Sequence, residues 1–367
     1  MAESQAPRRG RVTLYDVANR AGVSQPTASR VLNGSDRKVG GVYRDRVLQA
    51  ARALGYRPDI AAQTFARGTS PTVSLVVGDI SGAFFASMAA ELMRAARSSG
   101  LHVAVTLSGR DAARELAIVD ELRTQRPRAI IFAGTALVDE GDNSRLVNAL
   151  RRYESGGGRV LLIGRHGLPF ASVDFDDRGA ASQMGAELAA RGYRSAFIVG
   201  RRSPLVAMRE RVQGFQSGFG GTVIDHDEAA SLTWEDGRAV VLEADPAALD
   251  QADVLFAVTD ELALGAIAGL RERGLAVPTD MAVAGFNDGK TARDSFPPLT
   301  SAHVPLETVA AETIRLLHVS TDELRSVTVP TYPVMRASSP RLTPDGRTRQ
   351  AASVGGTAAA RPDWSTS

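Results

Sequence analysis

From Thr72 onward the chain alternates short apolar runs with amphipathic stretches, and few architectures accept that pattern. TVSLVV, HVAVTL, AIIFAG and RVLLIG read as strands, with helical stretches such as FASMAAELMRAARSSG between them. A second series follows in SVDF, AFIVG, VLFAV and MAVAGF. Strand–helix alternation builds parallel sheets through right-handed crossovers. The two series predict an α/β body of two similar, doubly wound lobes, and open sheets of this kind hold ligands beyond their strand ends.

Upstream the pattern changes. Residues 12–57 read as all-helical, and VTLYDVANRAGVSQPTASRVLNG packs two very short helices around AGV. Thr13 suits the cap of the first helix and Gly22 the tight turn. Ser24 suits the cap of the second, with Pro26 in its first turn, where a missing N–H does no harm. Val23, Ala28 and Val31 then point inward, while Gln25, Thr27, Ser29 and Arg30 face outward or flank that side. Small polar groups with one Arg suit base edges and phosphates in a major groove. The plainer reading is a helical hairpin used for packing. A third helix at VYRDRVLQAARALG ends at Gly55 and Pro58. Residues 58–71 form a connector with room for a helical turn or two, residues 72–337 the body, and residues 338–367 a tail expected to be disordered.

Charge separates the same regions. Residues 1–70 hold 12 Lys and Arg against 5 Asp and Glu, a balance of +7, while the remainder carries −5. A basic head on an acidic body suits a head that alone meets a polyanion, or equally a solvated basic terminus.

Other classes are disfavoured. With no cysteine there is no disulfide or thiolate chemistry. No apolar run approaches a bilayer span, and MAESQAPRRG lacks the apolar core of a signal peptide, so a cytoplasmic protein with no membrane partner is expected. His102, His166, His226, His303 and His318 are scattered, no nucleophile elbow or phosphate loop is present, and no catalytic or metal-binding residue or cofactor is expected. SVDFDDRG crowds three carboxylates, read as a strand end and a helix cap.

The stretch TLYDVANRAGVSQPTASRVLNG, continuing through RDRVLQAARALGYRPD, resembles the DNA-binding segment and hinge of the lactose-repressor (LacI/GalR) family. The likeness continues in VVGDISGAFF, ERVQGF, TDELALGAIAGLRERGLAVPTDMAVAGFND and PPLTSAHVP. It implies a helix-turn-helix head and a periplasmic-binding-protein-like body. The resemblance places Gln25, Pro26 and Arg30 at base edges and Thr13, Ser24, Thr27 and Asn33 at phosphates. Leu14 and Tyr15 would brace the first helix against the groove. In the hinge it assigns Ala62 and Phe65 to DNA, Phe65 replacing the leucine that the family inserts into the minor groove. Gly40 and Tyr43 depart from the family's serine cap and threonine before the third helix.

For the body the resemblance implies an effector pocket of Phe84, Phe85, Arg165, Phe175, Arg211, Trp234, Thr259 and Asn287. Asn287 stands where many members carry an acid. The function implied is a sequence-specific transcriptional regulator, acting as a repressor and not an enzyme. It would bind a pseudo-palindromic operator in double-stranded DNA as a homodimer, under control of a sugar-type small molecule between the lobes. The competing readings are a solute-binding protein and a carbohydrate-active α/β enzyme.

Overall fold

The computed structural model describes residues 12–33, 39–56, 70–136, 143–164, 166–224, 232–320 and 325–342. The connector lies almost entirely outside these residues, as do Ala62, Phe65, Arg165 and the side chain of Asn33.

The head is three helices, Leu14–Ala21, Gln25–Asn33 and Gly41–Leu54, around a small core that includes Val17, Ala18, Ala28, Val47 and Ala50. Helices this short are marginal alone, so this shared apolar face is what holds them. The departure at residue 40 has a visible cost, because Gly40 caps the third helix with no side-chain hydrogen bond.

The body contains β1 (Thr72–Val77), β2 (His102–Leu107), β3 (Ala129–Ala133), β4 (Arg159–Ile163), β5 (Ser172–Phe175), β6 (Ser195–Val199), β7 (Thr222–Ile224), β8 (Val254–Ala257), β9 (Ala282–Asn287), β10 (Thr300–His303), β11 (Val327–Val329) and β12 (Tyr332–Val334). They form two six-stranded sheets, ordered β11-β5-β4-β3-β1-β2 and β12-β10-β9-β8-β6-β7. Every pairing is parallel except β10 with β12. β1, β3, β4, β6, β8 and β9 are buried almost throughout, which is why their sequences run apolar without alternation.

Two expectations need correction. SVDF does not open the second series, since β5 pairs with β4 in the first sheet. The chain crosses between lobes after β5, not before it, and crosses again between β10 and the helix Leu306–Leu316 and between β11 and β12. The tail also begins later than residue 338. Ser338 and Ser339 are fully buried. The Ser338 hydroxyl donates to the Val283 carbonyl at 2.6 Å and accepts from the Thr300 N–H at 2.8 Å. Residues 338–342 therefore belong to the second lobe, which a truncation at 337 would damage.

Small residues set the close helix crossings that position the cleft. A Cβ on Gly237 would stand 2.2 Å from the Leu262 carbonyl oxygen, and one on Gly265 2.0 Å from that of Trp234. The helix Trp234–Glu243 thereby lies directly on the helix Asp260–Glu272. Among the described residues no helix is long and apolar enough to cross a membrane.

Candidate functional site

In the head, Thr13 and Asp16 form a reciprocal capping box. The Asp16 N–H donates to Thr13 Oγ1 at 3.3 Å, and the Thr13 N–H donates to Asp16 Oδ2 at 2.8 Å. Gly22 turns the chain at φ 63°, where an added Cβ would also meet the Arg46 guanidinium. Ser24 Oγ accepts from the Thr27 N–H at 3.3 Å and lies 2.8 Å from the Thr27 hydroxyl. With Ala28 anchored in the core, Gln25, Pro26 and Arg30 are left exposed, and Thr27 half-buried. Thr13 and Ser24 are also exposed, and Tyr15 presents 60% of its surface. Leu14 differs from these in packing partly against the head's core.

Between the lobes lies a cleft of about 690 Å³, in the range of small-molecule sites. Phe84, Phe85, Phe175, Arg211, Trp234, Thr259 and Asn287 all line it, although they come from six separate segments of chain. The first lobe supplies an aromatic wall. Phe84 meets Phe85 edge-on at 5.4 Å and Phe175 at 6.0 Å between ring centroids. The second lobe supplies Arg211, Trp234, Thr259 and Asn287, while Asp79, Ser81, Arg110 and Thr135 add polar groups from the first. Trp234 opens its helix at a capping box between Thr233 and Asp236, and stays 42% exposed over the cleft. Thr259 caps the next helix by accepting from the Leu262 N–H at 3.3 Å. Asn287 ends β9 at φ 115°, a strained backbone position that asparagine tolerates better than most residues.

At the base of the cleft Arg211 is only 3% exposed. Its Nε donates to Asp177 Oδ1 at 2.7 Å, and its Nη1 to the Val258 carbonyl at 2.7 Å and to Asn287 Oδ1 at 3.2 Å. Its guanidinium carbon sits 3.8 Å above the centroid of the Phe286 ring. Buried charge is tolerated only with partners of this quality.

The lobes also cap each other's helices. The helix Ala83–Ser98 has no side-chain cap of its own, and its Ala83 N–H donates to Glu261 Oε1 across the cleft at 2.6 Å. The helix Val206–Phe219 likewise lacks its own side-chain cap. Its Val206 N–H donates to the Ala136 carbonyl at 3.0 Å and its Ala207 N–H to Thr135 Oγ1 at 3.1 Å.

The comparisons agree with this geometry. The family description "Bacterial regulatory proteins, lacI family" matches residues 13–59, and "Periplasmic binding protein-like domain" matches residues 186–339. The HTH-type transcriptional regulator CelR of Thermobifida fusca is 30% identical over 322 residues, covering 84% of this chain and 92% of that regulator. The chain belongs to the LacI family. HTH-type transcriptional regulator GalS of Salmonella typhimurium is also 30% identical, over 82% of this chain and 87% of its own. A solved CelR–cellobiose complex superimposes with a TM-score of 0.60 at 28% identity, covering 89% of this chain and all of that one. The Lac repressor bound to ONPG shares the fold, with a TM-score of 0.75 at 24% identity over 90% of this chain and 100% of its own.

As a LacI-family member the chain is a DNA-binding transcriptional regulator, and the enzyme reading falls. The solute-binding reading falls with it, because the head belongs to the same match. Sequence reasoning missed three participants in this LacI-family cleft. Asp177 was read only as part of a strand end and cap, but it is Asp176 that caps, accepting from the Gly179 N–H at 2.9 Å. Asp177 instead holds Arg211. Glu261 and Thr135 carried no signal in their own segments, since each acts on the opposite lobe.

One further carboxylate in this LacI-family body is unusual. Asp260 accepts from the Ser301 hydroxyl at 2.5 Å and from the Gly289 N–H at 2.8 Å. Burial outweighs both bonds and pushes its pKa up to about 7. A raised acid pKa means that the native state favours the protonated form. The resulting stability is complete below about pH 4, the unfolded value, and is lost as pH rises through about 7. Asp260→Asn, which stays neutral, should flatten the fall in melting temperature between pH 4 and pH 7 relative to wild type. Parallel melting curves for the two proteins would contradict the assignment.

Proposed function

We propose that the protein is a dimeric repressor, working in the cytoplasm, whose grip on a pseudo-palindromic operator is set by a sugar-type effector between the lobes. The observation that carries this reading is the cleft itself. It opposes an aromatic wall to a guanidinium, an amide, a hydroxyl and an exposed indole, which suits a ligand with an apolar ring face and a hydroxylated rim. Two heads related by a two-fold axis would read two half-sites through Gln25, Pro26 and Arg30, with Thr13, Ser24, Thr27 and Asn33 on phosphates. Leu14 and Tyr15 would steady the first helix, and Ala62 and Phe65 would carry the minor-groove contact. An aromatic wedge opens a base step as an aliphatic one does. Arg165 is assigned to the pocket by the family resemblance. The solved CelR–cellobiose complex favours a carbohydrate as the class to test first.

The test pairs calorimetry with operator binding. A panel of mono- and disaccharides is titrated into full-length protein, and the best binder is added to the protein–operator complex. Operator affinity should shift, because coupling between two sites is reciprocal. Trp234→Ala should weaken that sugar by about 0.5–1.5 kcal/mol, the value of a lost stacking contact, and leave operator binding without sugar unchanged. Equal sugar affinities for the variant and wild type would place the ligand elsewhere.

A further inference from the structure

The interlobe cleft has a neighbour across Arg110. Beside it a second chamber of about 190 Å³ runs into the first lobe, near the ends of β1 and β3 and the start of the helix Ala112–Gln125. Phe85, Arg110, Gly134 and Thr135 line both spaces, so the two share a wall. Arg110 crosses that wall by lying over Gly78, where a Cβ would stand 2.5 Å from its Cγ.

The chamber contains a polar group that the proposed effector site does not use. His166 is half-buried as a residue, but its Nε2 is fully covered and has no hydrogen-bond partner among the described residues. Burial pushes the ring pKa down to about 4, so the imidazole is neutral. The backbones of Ile163 and Phe132 oppose that shift without reversing it, and a neutral imidazole can either donate or accept at Nε2. Ser108, itself buried, donates to Glu115 Oε1 at 3.1 Å, so a carboxylate faces the same space. Phe132, Leu146 and Leu168 complete the wall.

This set discriminates between ligand chemistries. A phosphate or carboxylate would meet Glu115. A purely apolar group would leave Nε2 buried without a partner, which is costly. Hydroxyls suit all three polar groups, since they donate to Glu115, accept from Arg110 and can do either with His166. We propose that the chamber is a second subsite, taking the hydroxyl-bearing distal unit of a two-unit glycoside whose first unit sits between Arg211 and Trp234. This rests on the reading of the cleft as the effector site.

The test is calorimetry on the full-length protein with cellobiose, lactose, maltose and trehalose, their component monosaccharides, and glucose 6-phosphate. The variants are His166→Phe, which removes the buried ring nitrogen, and Ala112→Phe, which fills the chamber from an exposed helix start. At least one disaccharide should bind wild type tenfold or more tighter than its component sugars. Both variants should remove that advantage and leave monosaccharide affinity within twofold. A disaccharide with no advantage, or one whose advantage survives both variants, would overturn the subsite. Tightest binding by glucose 6-phosphate would replace it with an anion site. Monosaccharide binding without disaccharide gain would overturn the chamber alone, whereas no carbohydrate binding at all would overturn the cleft reading as well.

Discussion

Arg211→Ala is expected to destabilise the body by about 3–5 kcal/mol, the usual cost of stranding one partner of a buried ion pair. The size follows from what remains. Asp177, 3% exposed, would lose the guanidinium 2.7 Å away, and the Val258 carbonyl and Asn287 amide would each lose a donor. Arg211→Lys should rescue little, because an ammonium cannot serve a carboxylate, a carbonyl and an amide from one planar fork. Arg211→Leu combined with Asp177→Leu should recover much of the stability, since a buried pair replaced by apolar groups is often neutral. It should not recover sugar binding. Urea denaturation followed by circular dichroism measures the first effect and calorimetry the second. An Arg211→Ala protein within 1 kcal/mol of wild type would show that the pair is not holding the cleft floor.

Gln25→Ala and Arg30→Ala should each relax operator preference at particular base pairs, at a cost of about 1–3 kcal/mol against the preferred base. Both side chains are exposed on a helix whose opposite face is anchored by Ala28. A Gln amide reaches adenine with two hydrogen bonds, and a guanidinium reaches guanine with two. Binding-site selection from a random library reads the outcome directly. Two-fold symmetry requires the relaxation to appear at matching positions in both half-sites. The salt dependence of binding should be unchanged for Gln25→Ala, which removes no charge. Unchanged sequence preference in both variants would remove the second helix from the major groove.

Much of this was legible in the chain because its strands are buried on two faces. β1, β3, β4, β6, β8 and β9 announce themselves as apolar runs, whereas β10 is the polar TSAH and β7, β11 and β12 are three residues each. Short or polar strands draw their order from neighbours, which no local pattern records. The lobe assignment of SVDF failed for a related reason, since a strand's sheet depends on where the chain crosses. The head was readable at single residues, because Thr13, Gly22 and Ser24 each answer a local backbone need. The cleft was readable only through family likeness. Asp177 and Glu261 escaped because their partners lie 34 and 178 residues away, Arg211 within the lobe and Ala83 across the cleft.

The three crossings between lobes also set the order in which the body can be finished during synthesis. β1 to β5 emerge first, yet their edge strand β11 lies beyond the whole second sheet except β12. The helix Leu306–Leu316, which packs on Ala83–Ser98, is equally late. The lobe begun first is therefore completed almost last, and a ribosome carrying residues 72–300 holds a sheet with one edge still open. Neither lobe is a contiguous piece of chain, so the unit that folds and is inherited intact is the pair.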